Sequence, residues 1–292
     1  MELADVDLDW EFLLERIERL IDLGESFLED KLQSWEPEPD LFARFASFRW
    51  DGDQLIPQES DEYQAPSELV GLEDLARSLQ QNVEQFVAGL PAQHMLLWGA
   101  RGMGKTSLVR ALLAESVVDG LRGVDLGLDS VDRLDELLEL LERIPLNFLV
   151  VMDDVNLLSS SLKETLFRRL GGGLVDWPRN VLLCLTSAED LMASREHLSE
   201  EYEIFGVQAR IPSLGEEGYL ALVERSLHQY ATGFDMGEVR QQALQWAACR
   251  GRFSGRLARQ FVERLTSQSA LEEIRQQKPQ SQPSGEEDAG ES

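Results

Sequence analysis

The residues from Gly99 to Thr106 have the types and the spacing that bind phosphate. They read GARGMGKT, a glycine, four intervening residues and then Gly-Lys-Thr, which is the pattern of a Walker A motif or P-loop. Gly102 and Gly104 let the backbone approach an anion, and the amides that open the following helix point toward it. Lys105 can reach the β- and γ-phosphates of a nucleotide, and the Thr106 hydroxyl can bind Mg²⁺.

The sequence on either side of this motif supplies the strand and the helix that a P-loop requires. Residues 94–98 are an apolar run short enough for a buried strand, and residues 107–113 have helical spacing without a breaker. The alternative is a chance glycine-rich turn with a surface lysine, but the chain has only four lysines against 23 arginines. The pattern therefore predicts nucleotide binding, with contacts from Gly99, Ala100, Arg101, Gly102, Met103, Gly104, Lys105, Thr106 and Ser107.

A second group able to do chemistry stands at residues 148–154, where an apolar run ends in two carboxylates. Such a run predicts a buried parallel strand with Asp153 and Asp154 at its C-terminal edge. This is the position of a Walker B acid. We expect Asp153 to hold Mg²⁺ together with Thr106, and Asp154 to orient or deprotonate an attacking water.

Strands and helices alternate through the middle of the chain, which predicts an α/β fold with a doubly wound parallel sheet. Three further helices should form a lid after it. The predicted strands are 94–98, 123–128, 148–154, 181–187 and 208–212, and the predicted helices after the P-loop helix are 130–144, 162–170, 218–230, 238–249 and 254–265.

Composition divides the chain into five segments. Residues 1–50 form an acidic helical region whose apolar stripe either binds a partner or packs on the chain's own core. Residues 51–66 are a polar linker, 67–213 the P-loop α/β core and 214–267 the helical lid. Residues 268–292 form a polar, acidic tail that we expect to be disordered, because it cannot bury enough apolar area to fold.

A net charge of −27 is the strongest feature of the composition. Such a surface repels phosphate backbones, which argues against nucleic acid and favours a protein partner. No apolar run approaches the roughly 18 to 20 residues that cross a membrane, and the acidic N-terminus lacks the basic segment of a signal peptide. We therefore expect a cytoplasmic protein with no membrane contact, in which Cys184 is a core residue.

With these motifs in place the chain resembles the AAA+ ATPases and, more narrowly, the bacterial AAA+ family called domain of unknown function 815. The resemblance covers about residues 45–266. The segments that carry it are FRW at 48–50, LVG at 69–71, QN at 81–82, GARGMGKTS at 99–107, MDD at 152–154, GGL at 172–174, TS at 186–187 and GRFSGRLARQF at 251–261.

The resemblance implies ATP and Mg²⁺ as the bound groups, and it adds residues that spacing alone does not single out. Val70 and Gly71 would lie beside the adenine. Arg256 would be the second sensor, a lid cation that reaches the γ-phosphate and couples the lid to the nucleotide. The catalytic residues would then be Lys105, Asp154 and Arg256, in a protein that assembles with copies of itself.

Three positions depart from the usual AAA+ pattern. Ala188 stands where the first sensor, commonly Asn, is expected, which leaves Thr186 or Ser187 to help position water. Asp154 stands where most members have Glu, and Ile204 stands in place of the arginine finger. Arg195 or Arg210 could substitute for that finger. Two functions stay open: an ATPase that remodels or regulates a protein partner, and a nucleotide-gated binding module with little hydrolysis.

Overall fold

Seven strands form one sheet in the computed structural model, which describes residues 37–59, 69–155, 176–188, 201–230 and 234–277 together with Arg19, Leu166, Arg169 and Leu170. The strands are β1 (Ser47–Trp50), β2 (Leu55–Gln58), β3 (Met95–Trp98), β4 (Leu121–Leu126), β5 (Asn147–Met152), β6 (Val181–Ser187) and β7 (Val207–Arg210). Their order across the sheet is β2-β1-β4-β5-β6-β3-β7, and every neighbouring pair is parallel except β1 with β2. The predicted parallel α/β sheet is confirmed, with an antiparallel strand at one edge.

The described helices lie between and after these strands. They are α1 (Pro39–Arg44), α2 (Glu73–Val87), α3 (Lys105–Ser116), α4 (Leu134–Glu142), α5 (Glu216–Tyr230), α6 (Met236–Ala248) and α7 (Gly255–Gln277). Short 3₁₀ helices occupy Leu128–Arg133 and Glu201–Ile204. The first of these takes up the beginning of the helix that was predicted over 130–144.

Apolar side chains cover both faces of the sheet, and the C-terminal helices have a core of their own. One face packs against α1 and α4, and the other against α2 and α3. Every residue of β3 and β6 is buried, which explains why both strands read as unbroken apolar runs. Helices α5, α6 and α7 close around Tyr219, Val223 and Phe261 as the predicted lid.

The aromatic group near residue 50 belongs to the sheet, so the prediction that residues 1–50 form a helical region is wrong at its end. Phe48 and Trp50 are buried while Arg49 between them is exposed, which is the two-residue period of a strand. Residues 51–66 were predicted to be a linker, yet β2 pairs there with β1. Before β1, the ring of Phe42 in α1 packs against Phe48, with centroids 5.0 Å apart, so this helix lies on the chain's own core.

The last helix passes the predicted end of the lid at 267 and continues to Gln277, so the predicted disorder is wrong for residues 268–277. That stretch contains Ala, Leu, Glu, Gln and Arg without Gly or Pro, and these are strong helix formers. Three predicted regions lie outside the described residues. They are 278–292, the helix over 162–170 apart from three residues, and the region before 37 apart from Arg19.

Two further findings bear on the sequence predictions. Cys184 is fully buried in β6, as expected of a core cysteine, and Cys249 is exposed; both are free thiols. Within the described ranges, no helix is both long enough and apolar enough to cross a bilayer.

Candidate functional site

The GARGMGKT segment leaves the carboxyl end of β3, which lies between β6 and the edge strand β7, and leads into α3. Backbone hydrogen bonds hold its start on both sides: Gly99 N–H donates to Ser187 O over 3.1 Å, and Ile211 N–H donates to Trp98 O over 2.7 Å. At Gly99 φ is +152°, and a Cβ there would lie 2.7 Å from Ile211 O. Glycine is therefore required where the loop passes between β6 and the end of β7.

Lys105 is the first residue of α3, and its side chain folds back inside the loop. Its Nζ donates to Gly99 O over 2.7 Å and to Ala100 O over 3.2 Å, and the residue is buried. Burial lowers the pKa of Lys105, while the charges of Asp154 and Asp153 act to raise it. Within the described part of the chain, the hydrogen-bond acceptors of this amine are two neutral carbonyls, so its charge is available to an anionic ligand.

Asp153 lies at the carboxyl edge of the sheet between two threonines. Met152 of β5 pairs with Leu185 of β6, so Asp153 comes level with Thr186. Thr186 Oγ1 donates to one carboxylate oxygen of Asp153, and Thr106 Oγ1 donates to the other over 2.7 Å. The predicted pair of Thr106 and Asp153 is therefore in direct contact.

Asp154 has the left-handed backbone conformation, with φ of +54°, and no other non-glycine residue in the described ranges has a positive φ. Its N–H donates to Thr186 Oγ1 over 2.9 Å, which pins the main chain at this point. Its carboxylate lies 2.8 Å from the guanidinium of Arg101 in the loop. Such conformations cost of order 1–3 kcal/mol and concentrate at functional sites.

Of the two hydroxyl residues that the sequence offered beside Ala188, Thr186 contacts the acidic pair. Its hydroxyl contacts both members of the acidic pair, whereas Ala188 follows the end of β6. Ser187 is buried at the end of the same strand. The polar group beside Asp153 and Asp154 is thus a threonine hydroxyl.

The last helix of the lid, α7, begins in contact with the P-loop. Ser254 caps α7, because its Oγ accepts from Leu257 N–H over 3.2 Å. The next turn places Arg256 N–H 3.4 Å from Gly102 O. A Cβ added to Gly102, where φ is +81°, would lie 3.1 Å from the Cβ of Arg256. The predicted lid cation therefore stands over the loop.

A cavity of about 340 Å³ lies between the loop and the lid, which is within the size range of small-molecule sites. Six cationic side chains line it against two carboxylates, although the whole chain has a charge of −27. The cations are Arg101, Lys105, Arg110, Arg225, Arg256 and Arg259, and the acids are Asp153 and Asp154. This local excess of positive charge suits a polyanionic ligand.

Most of the predicted nucleotide-contacting residues line this cavity. Val70, Met103 and Ser107 do so together with the loop residues described above. Gly71 does not line the cavity. It lies in a turn with φ of +75°, and its N–H donates to the Glu73 carboxylate. Gly99 and Ala100 do not line the cavity either, and they contribute their carbonyls to Lys105.

Comparison with known proteins agrees with this geometry. The family described as "Protein of unknown function (DUF815)" matches residues 43–269 of the chain. The chain belongs to the DUF815 family. That match includes the P-loop, the acidic pair and the beginning of α7.

Several solved proteins share the fold of this DUF815 chain. The ORC1 protein of Aeropyrum pernix, solved in complex with DNA, matches at 17% identity and TM-score 0.56, over 71% of this chain and 61% of that one. The RuvB Holliday junction branch migration motor of Thermotoga maritima matches at 16% and 0.52, over 72% of this chain and 66% of that one. This chain therefore spans less than two thirds of either protein. The ORC2 protein of A. pernix, solved as ADPNP and ADP complexes, matches at 16% and 0.50, over 70% of each chain.

The DUF815 site also contains residues that the sequence did not single out. Leu72, Leu214 and Leu222 add apolar surface, while Arg225 and Arg259 add lid cations. Arg259 is three residues beyond Arg256 on one helix, so helical spacing alone could have placed both on one face. Leu222 and Arg225 have the same spacing on α5, whereas Leu72 and Leu214 precede α2 and α5, and no local pattern brings these separate segments together.

Arg210, one of the two predicted substitutes for an arginine finger, does not line the cavity of this DUF815 chain. Arg210 ends β7 with an exposed side chain away from the lining set, and Arg195 lies outside the described residues. Ile204 ends a 3₁₀ helix and packs partly buried against the core.

Among the described residues, no group of three or more His, Cys, Asp or Glu side chains could hold a metal by itself. The oxygen pair of Thr106 and Asp153 nonetheless fits Mg²⁺, which binds proteins through few ligands and keeps water or phosphate oxygens around it.

Proposed function

We propose that the protein binds Mg-ATP in the cavity between the P-loop and the lid and hydrolyses it to ADP and phosphate. The observation that carries this proposal is the 2.7 Å hydrogen bond from Thr106 Oγ1 to Asp153 Oδ2, which joins residues 47 positions apart. It brings the hydroxyl that opens α3 to a carboxylate at the edge of the sheet. Two hard oxygen donors beside a buried lysine are suited to a magnesium-bound polyphosphate.

Each side chain has a role that its position supports. Lys105 exchanges its two carbonyl acceptors for phosphate oxygens, while the N–H groups of the loop hold the rest of the polyphosphate. Asp154 orients water toward the terminal phosphorus and accepts its proton as the bond to the ADP oxygen breaks. Mg²⁺ supplies charge neutralisation of the phosphates when bound. Arg256 couples the position of the lid to the bound nucleotide, because its backbone contacts Gly102 of the P-loop.

A second candidate is a nucleotide-gated binding module that hydrolyses ATP little. The observation that favours it is Ile204, an apolar and partly buried residue at the position where the resemblance implies an arginine finger. A missing arginine of this kind can lower turnover by roughly 10³- to 10⁵-fold. The two functions share the binding site and differ in the rate of the chemical step.

Phosphate release separates the two functions. We expect the wild-type chain to release phosphate from Mg-ATP faster than Lys105→Ala, which removes the buried amine, and faster than Asp154→Asn, which removes the proton acceptor. Binding of ATP should survive in Asp154→Asn. A wild-type chain that binds ATP and releases phosphate no faster than Lys105→Ala would leave the gated module as the function.

We further propose that the nucleotide state acts on a protein partner, within an assembly of copies of this chain. The net charge of −27 supports a protein over DNA, although the comparison proteins include one solved with DNA and one described as a branch migration motor. Titration of labelled duplex and Holliday-junction DNA at low salt tests the choice, and saturable binding would replace the protein partner with DNA. Sizing with and without Mg-ATP tests assembly, and identical elution would contradict it.

A further inference from the structure

Arg101 and Asp154 form an ion pair across the mouth of the cavity. Arg101 is the third residue of the P-loop motif, and its Nη2 lies 2.8 Å from Asp154 Oδ2. The two side chains are 66% and 43% exposed. Exposed pairs contribute little to stability because water screens them, so this pair is not needed to hold the fold. It can therefore be exchanged for a stronger partner at small cost.

The two ends of the pair differ in how firmly the backbone holds them. Asp154 has a left-handed φ and donates its N–H to the buried Thr186 hydroxyl, so its main chain is fixed. Arg101 extends a long side chain from the loop, next to Gly102 with its φ of +81°. The guanidinium is thus the mobile partner and the carboxylate the fixed one.

Arg101 also stands close enough to the other site cations to act on the same anion. Besides burial, which is the largest cause, the charges of Arg101 and Arg256 lower the pKa of Lys105. Both arginines line the cavity with Lys105. A terminal phosphate carries more negative charge than a carboxylate and presents more acceptor oxygens, and guanidinium binds it through paired hydrogen bonds.

We infer that Arg101 distinguishes ATP from ADP by leaving Asp154 for the terminal phosphate, which frees the Asp154 carboxylate only when a triphosphate is bound. This inference rests on the proposed ATP site and goes beyond it. Arg101 supplies, from the same chain, a cation on the terminal phosphate that Ile204 cannot supply. With ADP the ion pair stays closed, so Asp154 stays neutralised.

The experiment measures affinities of the full chain for Mg-ADP and for the non-hydrolysable imido analogue of Mg-ATP. Arg101→Gln should weaken the ATP analogue about tenfold or more, as expected for one lost charge-assisted contact, and ADP by less than about twofold. Asp154→Asn should tighten the ATP analogue by removing the competitor for Arg101. That gain should shrink or vanish when Arg101→Gln is already present, a coupling that a merely structural role for either residue would not produce.

Arg77→Gln is the matched control, since Arg77 pairs with Asp74 on α2 at a similar distance and is likewise exposed. It should change neither affinity. Arg101→Lys retains the charge and should keep part of the preference for the ATP analogue over ADP. It provides the test if Arg101→Gln fails to fold. Equal loss for both nucleotides in Arg101→Gln, or an Asp154→Asn gain that is the same in both backgrounds, would overturn the inference alone. A wild-type chain that binds neither nucleotide would overturn the proposed function and this inference with it.

Discussion

The backbone N–H of Arg256 donates to the carbonyl oxygen of Gly102 over 3.4 Å, so the first turn of the lid helix rests on the P-loop itself. A Cβ added to Gly102 would lie 3.1 Å from the Cβ of Arg256. A ligand that moves this loop must therefore move the beginning of α7. In the proposed function, this contact couples the lid to the nucleotide in the P-loop.

Gly102→Ala tests that route. Gly102 has a φ of +81° and Gly120 a φ of +93°. An alanine at either position would have the left-handed conformation, which costs about 1–2 kcal/mol. Only the alanine at 102 meets the lid, because nothing lies within 4 Å of a Cβ at 120. We expect Gly102→Ala to lower ATP affinity about tenfold, equivalent to about 1.4 kcal/mol, in calorimetry. Gly120→Ala should stay within about twofold, and equal losses in the two variants would contradict the loop–lid contact as the cause.

Thr106→Val tests the magnesium ligands. It keeps the shape of the side chain and removes the hydroxyl that donates to Asp153. We expect ATP affinity to fall about tenfold in Mg²⁺ and to change little in EDTA, because the hydroxyl acts through the metal. Thr266→Val serves as the control, since the Thr266 hydroxyl donates to the carbonyl oxygens of Val262 and Glu263 within α7. An equal loss with and without Mg²⁺ would assign Thr106 a role other than metal binding.

Thr186→Val tests the support of the acidic pair. The Thr186 hydroxyl is buried, accepts from Asp154 N–H and donates to Asp153. Valine leaves that N–H without its partner, which costs about 1–3 kcal/mol in the free energy of unfolding. Thr186→Ser keeps the hydroxyl and loses one methyl group, so it should lose only about 0.8 kcal/mol. Denaturant titration measures both, and a valine variant as stable as the serine variant would refute the role of the hydroxyl.

The P-loop and the Walker B strand could be predicted because each consists of consecutive residues in the sequence. The glycines and Lys105 lie within eight positions, and Asp153 directly follows its strand. The contact of Thr186 with Asp153 depends instead on the parallel register of β5 with β6, which joins residues 33 apart. No local pattern specifies that register, so the sequence left Thr186 and Ser187 as alternatives for the hydroxyl beside the acids.

The prediction for the strand β1, near one edge of the sheet, was wrong for a different reason. Phe45, Phe48 and Trp50 follow an acidic helical stretch, and spacings of two and three residues fit a helix as easily as a strand over so short a run. The pairing of β1 with β4, which lies beyond the P-loop in the chain, decides between them. Tertiary contact therefore overrides the local pattern at this edge.

Phe48→Ala tests whether β1 belongs to the folding unit. Phe48 is 1% exposed and packs in the cluster that contains Phe42 and Phe148, so its removal should cost about 3–5 kcal/mol in the free energy of unfolding. Ile56 on the neighbouring β2 is 38% exposed, and Ile56→Ala should cost far less. Urea titration of the two variants makes the comparison. Equal and small losses would mean that this edge of the sheet is dispensable.

His94 should make stability depend on pH. Its Nδ1 accepts from Leu183 N–H over 3.2 Å and its ring packs on Trp177, and burial lowers the pKa of His94 to about 4. Between pH 6.5 and 4 the unfolded chain binds a proton that the folded chain refuses, so stability falls as the pH falls through that window. By pH 5 the loss should reach about 2 kcal/mol, at about 1.4 kcal/mol for each pH unit below 6.5.

Unfolding free energies of the wild type and His94→Asn at pH 7.5 and pH 5 measure this contribution. Asparagine keeps an acceptor for Leu183 N–H and cannot take up a proton, so the advantage of the wild type over the variant should shrink by about 2 kcal/mol on acidification. His228→Asn, at an exposed lid position, is the control for the loss of a histidine as such. Because carboxylates titrate alike in all three proteins, an identical pH slope in wild type and His94→Asn would show that His94 is charged in the folded protein.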